Sequence, residues 1–318
     1  MDLLSSLNPQ QAEAVKTTEG PLLILAGAGS GKTRVITVRI AYLIAEKQIV
    51  PHNILAVTFT NKAAGEMRQR VESLLKDQKL NSFPLIATFH SLCVRILRQD
   101  VERLDEGYTR SFTIYDTDDS QKVVKACLKD LGLDEKKIVP RAVRSVISSA
   151  KNRGEDVDLF ASSVERTDEK QAAYAKVFQL YEERLRRANA LDFDDLLIKT
   201  VKLLRISDEV REKYNDRYKY ILVDEYQDTN SLQLALITYL TEKQQNICVV
   251  GDDAQSIYGF RQADIRNILE FEQQFPNAKV ILLEQNYRST QTILDAADAI
   301  IGNNINQKKK KLWTQNMG

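Results

Sequence analysis

Short apolar, β-branched runs alternate with longer stretches of helical periodicity along most of this chain. Residues 22–25 (Leu-Leu-Ile-Leu), 54–59, 85–88, 220–223, 247–250 and 280–283 read as buried strands. Residues 34–47, 62–75, 91–101, 232–240 and 290–301 carry apolar positions at helical spacing. In 34–47 these are Val35, Ile36, Val38, Ile40, Leu43 and Ile44. Such alternation predicts an α/β fold, a mostly parallel sheet with helices on both faces. The rhythm breaks between residues 109 and 190, where no buried strand is expected. Helices are predicted there over 116–131, 140–151 and 169–187, the last with Ala173, Val177, Leu180, Tyr181 and Leu185 on one face. The reading is an all-helical subdomain (109–190) inserted between two parts of one α/β domain (1–108 and 191–288), with 289–318 as a connection.

Composition narrows the picture. The 318 residues suffice for about two domains. Lys+Arg 45 against Asp+Glu 44 leaves a net charge of +1, so any basic surface must be local. Cys93, Cys127 and Cys248 have no paired spacing, which fits a reducing compartment and offers no zinc site. His52 and His90 are too few for a metal cluster. No signal-like start and no apolar run of roughly 18 residues is present, so a cytoplasmic protein without a membrane partner is expected. Lys308, Lys309, Lys310 and Lys311 read as a solvated tail.

The chemistry concentrates at strand ends. The run Ala26-Gly27-Ala28-Gly29-Ser30-Gly31-Lys32-Thr33 lies between the first strand and the helix from Arg34, the context a phosphate-binding loop requires. Its glycines let backbone N–H groups turn inward, and the helix N-terminus adds partial positive charge. Lys32 would reach the β- and γ-phosphates of ATP, and the Thr33 hydroxyl would hold Mg²⁺. The strict pattern has Gly at the position of Ala26, which alanine can fill if that residue only ends the strand. The strand at 220–223 delivers Asp224, placed for Mg²⁺, and Glu225, placed as general base for an attacking water. The next delivers Gln255, which could touch either the γ-phosphate or that water.

AGAGSGKT (26–33), TFTNKAA (58–64), TFHS (88–91), LDFDDL (191–196), DEYQDTN (224–230), GDDAQSIYGFRQADI (251–265) and QNYRST (285–290) stand in this order. Together they resemble the N-terminal half of a superfamily 1 DNA helicase of the PcrA/UvrD/Rep type, over essentially the whole chain. The resemblance implies a P-loop (RecA-like) sheet, with 1–108 and 191–288 as its motor domain and 109–190 as the helical insertion. It implies an ATP-dependent 3′–5′ helicase acting in DNA repair or replication on single strands and single/double-strand junctions. By position, Gln11 matches the residue that reads the adenine edge, Tyr287 the aromatic that stacks on it, and Arg288 a γ-phosphate contact. Phe59, Tyr258 and Phe260 match base-contacting aromatics. Thr58, Thr60, Asn61, His90 and Arg261 match further strand contacts. For Phe59 and Phe260 a core role, and for His90 a structural one, stay open. Arg141, Arg144, Lys151 and Arg153 are candidates for duplex phosphates.

The chain departs from the pattern GDADQSIYRWRGADI at Asp253-Ala254 and at Gly259-Phe260-Arg261-Gln262. Nothing after QNYRST resembles the second motor domain and its arginine finger, so hydrolysis is expected to need that domain. The alternative is a nucleotide-gated single-strand-binding module without motor activity.

Overall fold

The computed structural model describes residues 3–78, 80–165, 168–257, 259, 262–304, 307–308 and 310–316. Among them the strands are β1 (Leu22–Ala26), β2 (Ile54–Thr58), β3 (Leu85–Thr88), β4 (Thr113–Tyr115), β5 (Ala190–Asp192), β6 (Tyr220–Val223), β7 (Ile247–Gly251), β8 (Lys279–Leu283), β9 (Gln285–Asn286) and β10 (Trp313–Thr314). The chain divides into two compact units, residues 1–89, 212–230 and 240–318, and residues 90–211 and 231–239.

The first unit is built on a six-stranded sheet of order β3-β2-β6-β7-β1-β8. Every adjacent pair in it is parallel. All five residues of β1 are buried, as an unbroken apolar run must be when both faces of a sheet are covered. Each of its leucine and isoleucine side chains contributes roughly 1.5–3 kcal/mol by burial. Helix α1 (Pro9–Lys16) begins with a capping box between Asn8 and Gln11, with proline at its first turn. Helix α2 (Lys32–Ala45) starts at Gly31, whose φ of 87° falls in the left-handed region that favours glycine. It buries Val35, Ile36, Val38, Ile40, Leu43 and Ile44, the face expected from their spacing. Buried Arg39 reaches back to the end of α1, donating to the carbonyls of Ala14 and Thr17. Helix α3 (Asn61–Leu74) follows β2, capped by the Thr60 hydroxyl. Because the strands are parallel, the ends of β1, β2, β6 and β7 open on the same edge.

The second unit holds α4 (Phe89–Asp100, from His90), α5 (Thr117–Asp130), α6 (Pro140–Asn152), α7 (Val157–Ser163), α8 (Glu169–Arg187) and α9 (Phe193–Ile206). Val124, Leu128, Val143, Ile147, Val177, Phe178, Tyr181 and Leu185 form its core. The expectation of helices alone is corrected here: β4 and β5 pair in parallel, Thr113 opposite Ala190 and Tyr115 opposite Asp192. Three residues are too few to show a strand period. The motif 191–196 turns out to be a junction between β5 and α9. Asp192 and Asp195 cap one another reciprocally, and Asp192 Oδ2 and Asp195 Oδ1 each lie 2.8 Å from Lys151 Nζ. Glu182 Oε1 lies 2.6 Å from the same ammonium. Lys151 is only 2% exposed, so the expectation that it meets duplex phosphates fails. Arg153 is chelated by Glu155 through two bonds of 2.7 Å.

One ionic cluster in this unit fixes a pH dependence. Glu106 accepts from Lys199 at 2.8 Å and Lys202 at 2.5 Å. Burial would push its carboxyl up, but the two ammonium groups outweigh this and hold it below the usual carboxylate range. A depressed acid stabilises the fold above its unfolded pKa and loses that contribution as pH falls through the folded value. Thermal melts of wild type and Glu106→Gln should therefore differ most near neutral pH, by about 1 kcal/mol. The gap should close as the solution is acidified below the ordinary carboxylate value of 4.5.

Candidate functional site

The loop between β1 and α2 turns its carbonyls outward. Gly27 O accepts from Ser30 N and Oγ, at 3.3 and 2.7 Å. Ala28 O accepts from Asn286 Nδ2 at 2.6 Å, Gly29 O from Tyr287 N at 2.9 Å, and Ser30 O from Gln11 Nε2 at 2.9 Å. Gly31 O accepts from Val35 N at 3.0 Å, the first turn of α2. Five consecutive acceptors are thus occupied by the protein itself. The first N–H groups of α2 have no intrahelical acceptor by position, so the loop faces inward with donors. That is an anion cradle backed by a helix N-terminus. Gly29 has φ +70°, and a Cβ there would stand 2.7 Å from Arg288 Cβ, so both conformation and space exclude a side chain.

Two acidic residues at the end of β6 face this cradle. Lys32 Nζ lies 3.5 Å from Glu225 Oε2. Asp224 is 5% exposed, and burial followed by repulsion from Glu225 pushes its carboxyl up to about 7. Burial and Glu225 likewise push Asp228 up to about 6. Carboxylates crowded in this way around one ammonium suit a divalent cation. No group of three or more metal-binding side chains exists among the described residues. A cation held here by Thr33 and Asp224 would take its remaining ligands from phosphate and water. The residues therefore fit Mg²⁺·ATP.

Gln227 was not anticipated as a site residue. Its Nε2 donates to Glu225 Oε2 at 2.9 Å, and its Oε1 accepts from Asp252 N at 3.0 Å. It ties the end of β6 to the end of β7. Its place inside DEYQDTN, two residues after Glu225, is the sequence signal for it. At β7, Gln255 Nε2 donates to Asp252 Oδ2. Asp252 and Asp253 are buried, and Lys310 lies against both, 2.5 Å from Asp252 Oδ1. The expected solvated lysine tail is thus corrected at Lys308 and Lys310, which are partly buried and ion-paired; Lys309 lies outside the described residues.

On the side predicted for adenine, Gln11 is buried, with Oε1 accepting from Asn8 N and Nε2 bracing the loop. One lone pair and one hydrogen of that amide remain spare. Tyr287 is 46% exposed while its hydroxyl is fixed by Asn8 Nδ2 and Gln285 Oε1. Its ring is therefore held yet accessible. Arg288 is exposed, and no ion pair of its side chain is found among the described residues. Arg34, in the first turn of α2, is also exposed.

The predicted strand contacts fall in different places. In the first unit, Thr58 is buried at the end of β2, so its side chain offers no surface. Phe59 is half-buried, its ring 5.4 Å from that of Phe89. Thr60 and Asn61 are exposed. In the second unit, burial lowers the His90 pKa, and its ring stands edge-on to Phe193 at 6.0 Å. Phe193 is itself exposed, an aromatic that the sequence reading left out. Tyr258, Phe260 and Arg261 lie outside the described residues. Beside them, Gln262 has φ +63° where the resembled pattern carries glycine, at a cost of about 1 kcal/mol.

Residues 7–276 match the family described as the UvrD/REP helicase N-terminal domain. The chain is 54% identical over 314 residues to the ATP-dependent DNA helicase PcrA of Bacillus subtilis, covering 99% of this chain and 42% of that protein. It is 52% identical to the protein of the same name from Staphylococcus aureus, again over 99% of this chain and 42% of the relative. For Staphylococcus epidermidis the identity is 50% over 316 residues, with 99% and 42% covered. The chain spans about two fifths of the length of these curated relatives.

Proposed function

We propose, on the premise that this chain belongs to the UvrD/REP helicase N-terminal domain family, that it is the ATP- and single-strand-binding part of an ATP-dependent 3′–5′ DNA helicase. The observation that carries the reading is the cradle whose five consecutive carbonyls, Gly27 to Gly31, are all occupied within the protein, the middle three by Asn286, Tyr287 and Gln11. Mg²⁺·ATP supplies the phosphoanhydride bond and a cation that offsets phosphate charge. The loop N–H groups and Lys32 bind the phosphates, and Thr33 with Asp224 holds the cation. Glu225 takes the proton of the attacking water at a carboxylate oxygen, oriented by Gln227. Tyr287 presents a stacking face to the base, and the spare amide groups of Gln11 serve its edge. Exposed Arg288 offers its guanidinium to the γ-phosphate. In the first unit, Phe59, Thr60 and Asn61 offer a stacking face and polar groups to single-stranded DNA; in the second, taken by itself, His90 and exposed Phe193 offer the same kinds of contact. Full turnover draws on a second motor domain, in the manner of an added arginine finger.

The test is single-turnover hydrolysis of Mg²⁺·ATP, with and without a single-stranded oligonucleotide. Glu225→Gln should bind Mg²⁺·ATP within a few-fold of wild type and hydrolyse it at least about 100-fold more slowly. Equal loss of binding would remove Glu225 as the base. Nucleotide and strand binding without any wild-type turnover is the result expected of one part of a motor that draws on a second domain, whereas strand-stimulated turnover by this chain would make that domain dispensable.

A further inference from the structure

The described residues after helix Gln291–Ile301 are bonded into the first unit. Gln307 Nε2 donates to Ile301 O at 3.0 Å, and Lys308 N to Asp253 Oδ2 at 2.7 Å. Lys311 N donates to Glu284 Oε1 at 3.0 Å, and Trp313 N to Glu284 O at 3.1 Å. Strand β10 then pairs with β9, Trp313 opposite Gln285. Held from both sides, Lys310 inserts its ammonium between Asp252 and Asp253, with its side chain 10% exposed. Asp253 is one of five positions where the motif at 251–265 departs from the resembled pattern, and here it faces this segment.

Asp252 connects the pair to Gln255. Its Oδ1 accepts from Lys310 Nζ and from Ala254 N, and its Oδ2 from Gln255 Nε2. We infer that Lys310 is a positioning residue for ATP hydrolysis: it fixes Asp252, which turns the donor end of the Gln255 amide inward and leaves Oε1 facing away. The inference rests on the nucleotide reading above. With one Nε2 hydrogen committed to Asp252, the amide is held with Oε1 able to accept from the attacking water and its second N–H able to donate to a phosphate oxygen. Without Lys310, two adjacent buried carboxylates lose their cation, and Asp252 no longer has a fixed orientation. The ammonium itself is held charged: burial opposes this, but Asp252 and Asp253 outweigh it and raise its pKa.

The first readout needs no nucleotide. The Gln255 side-chain amide resonance is assigned by its loss in Gln255→Ala, and its solvent exchange is measured in the ¹⁵N-labelled chain. Exchange should accelerate about tenfold in Lys310→Met, the loss of one well-made hydrogen bond. It should stay slow in Lys310→Arg, which keeps the charge. It should also stay slow in Lys308→Met, whose ammonium pairs with Glu272 instead. The second readout splits rate from binding: Lys310→Met should lower single-turnover hydrolysis about tenfold while the Mg²⁺·ATP affinity stays within about twofold. An unchanged Gln255 amide in Lys310→Met overturns the inference, as does an affinity loss matching the rate loss. A released amide with hydrolysis untouched by Gln255→Ala would leave the positioning intact and sink the nucleotide role of Gln255.

Discussion

Replacing Lys32 with alanine weakens Mg²⁺·ATP binding by at least about 100-fold, while the fold survives. The size follows from what the ammonium does in the cradle. Charge-assisted hydrogen bonds to phosphate are worth roughly 1.5–3 kcal/mol each, and each 1.4 kcal/mol is a factor of ten. Lys32 is 12% exposed and lies 3.5 Å from Glu225, so its charge acts with little screening. The survival of the fold follows from the loop's own bonds. Its carbonyls are held by Ser30, Asn286, the Tyr287 backbone, Gln11 and Val35, and none by Lys32. Melting temperature should therefore shift little while equilibrium titration with nucleotide shows the loss. A variant that loses nucleotide only because it unfolds would fail on the first of these two measurements.

The second large effect lies in the helical unit. Lys151→Met should cost about 3–5 kcal/mol, because it leaves Asp192, Asp195 and Glu182 buried around no cation. Burial and then the Asp192 charge push the Asp195 carboxyl up, against the pull of Lys151. Asp192 is different: burial would raise it, but Lys151 outweighs this and keeps it ionised. It also accepts from the Tyr181 hydroxyl at 2.9 Å. Removing the ammonium therefore strands a real charge. Urea unfolding should show a lower midpoint at unchanged slope. A midpoint like that of wild type would mean that water reaches this cluster and screens it.

The same lysine shows where the sequence stopped being legible. In Pro140–Asn152 a lysine beside arginines looks like a solvated basic face, and nothing local says that three acids from other elements close on it. Ionic clusters made by long-range packing leave no period in the chain. The parallel sheet was legible because continuous apolar runs such as Leu22-Leu23-Ile24-Leu25 have no other stable home. Strand ends then placed the phosphate loop, Asp224, Glu225 and Gln255 on one edge without further information. What stayed hidden were the supports. Gln227, Asn286 and Lys310 act through second partners, and a glutamine, an asparagine or a lysine in a polar stretch carries no signature of that work. Strands β4 and β5 were hidden for a simpler reason, being three residues long.

The central claim is that the cradle takes the phosphates of Mg²⁺·ATP, and calorimetric titration of Mg²⁺·ATP into this chain and into Lys32→Ala tests it most directly. The account predicts one site per wild-type chain, dependent on Mg²⁺, and no measurable heat of binding in the variant at the same concentrations. Equal binding by the two proteins, or none by the folded wild type, would contradict it.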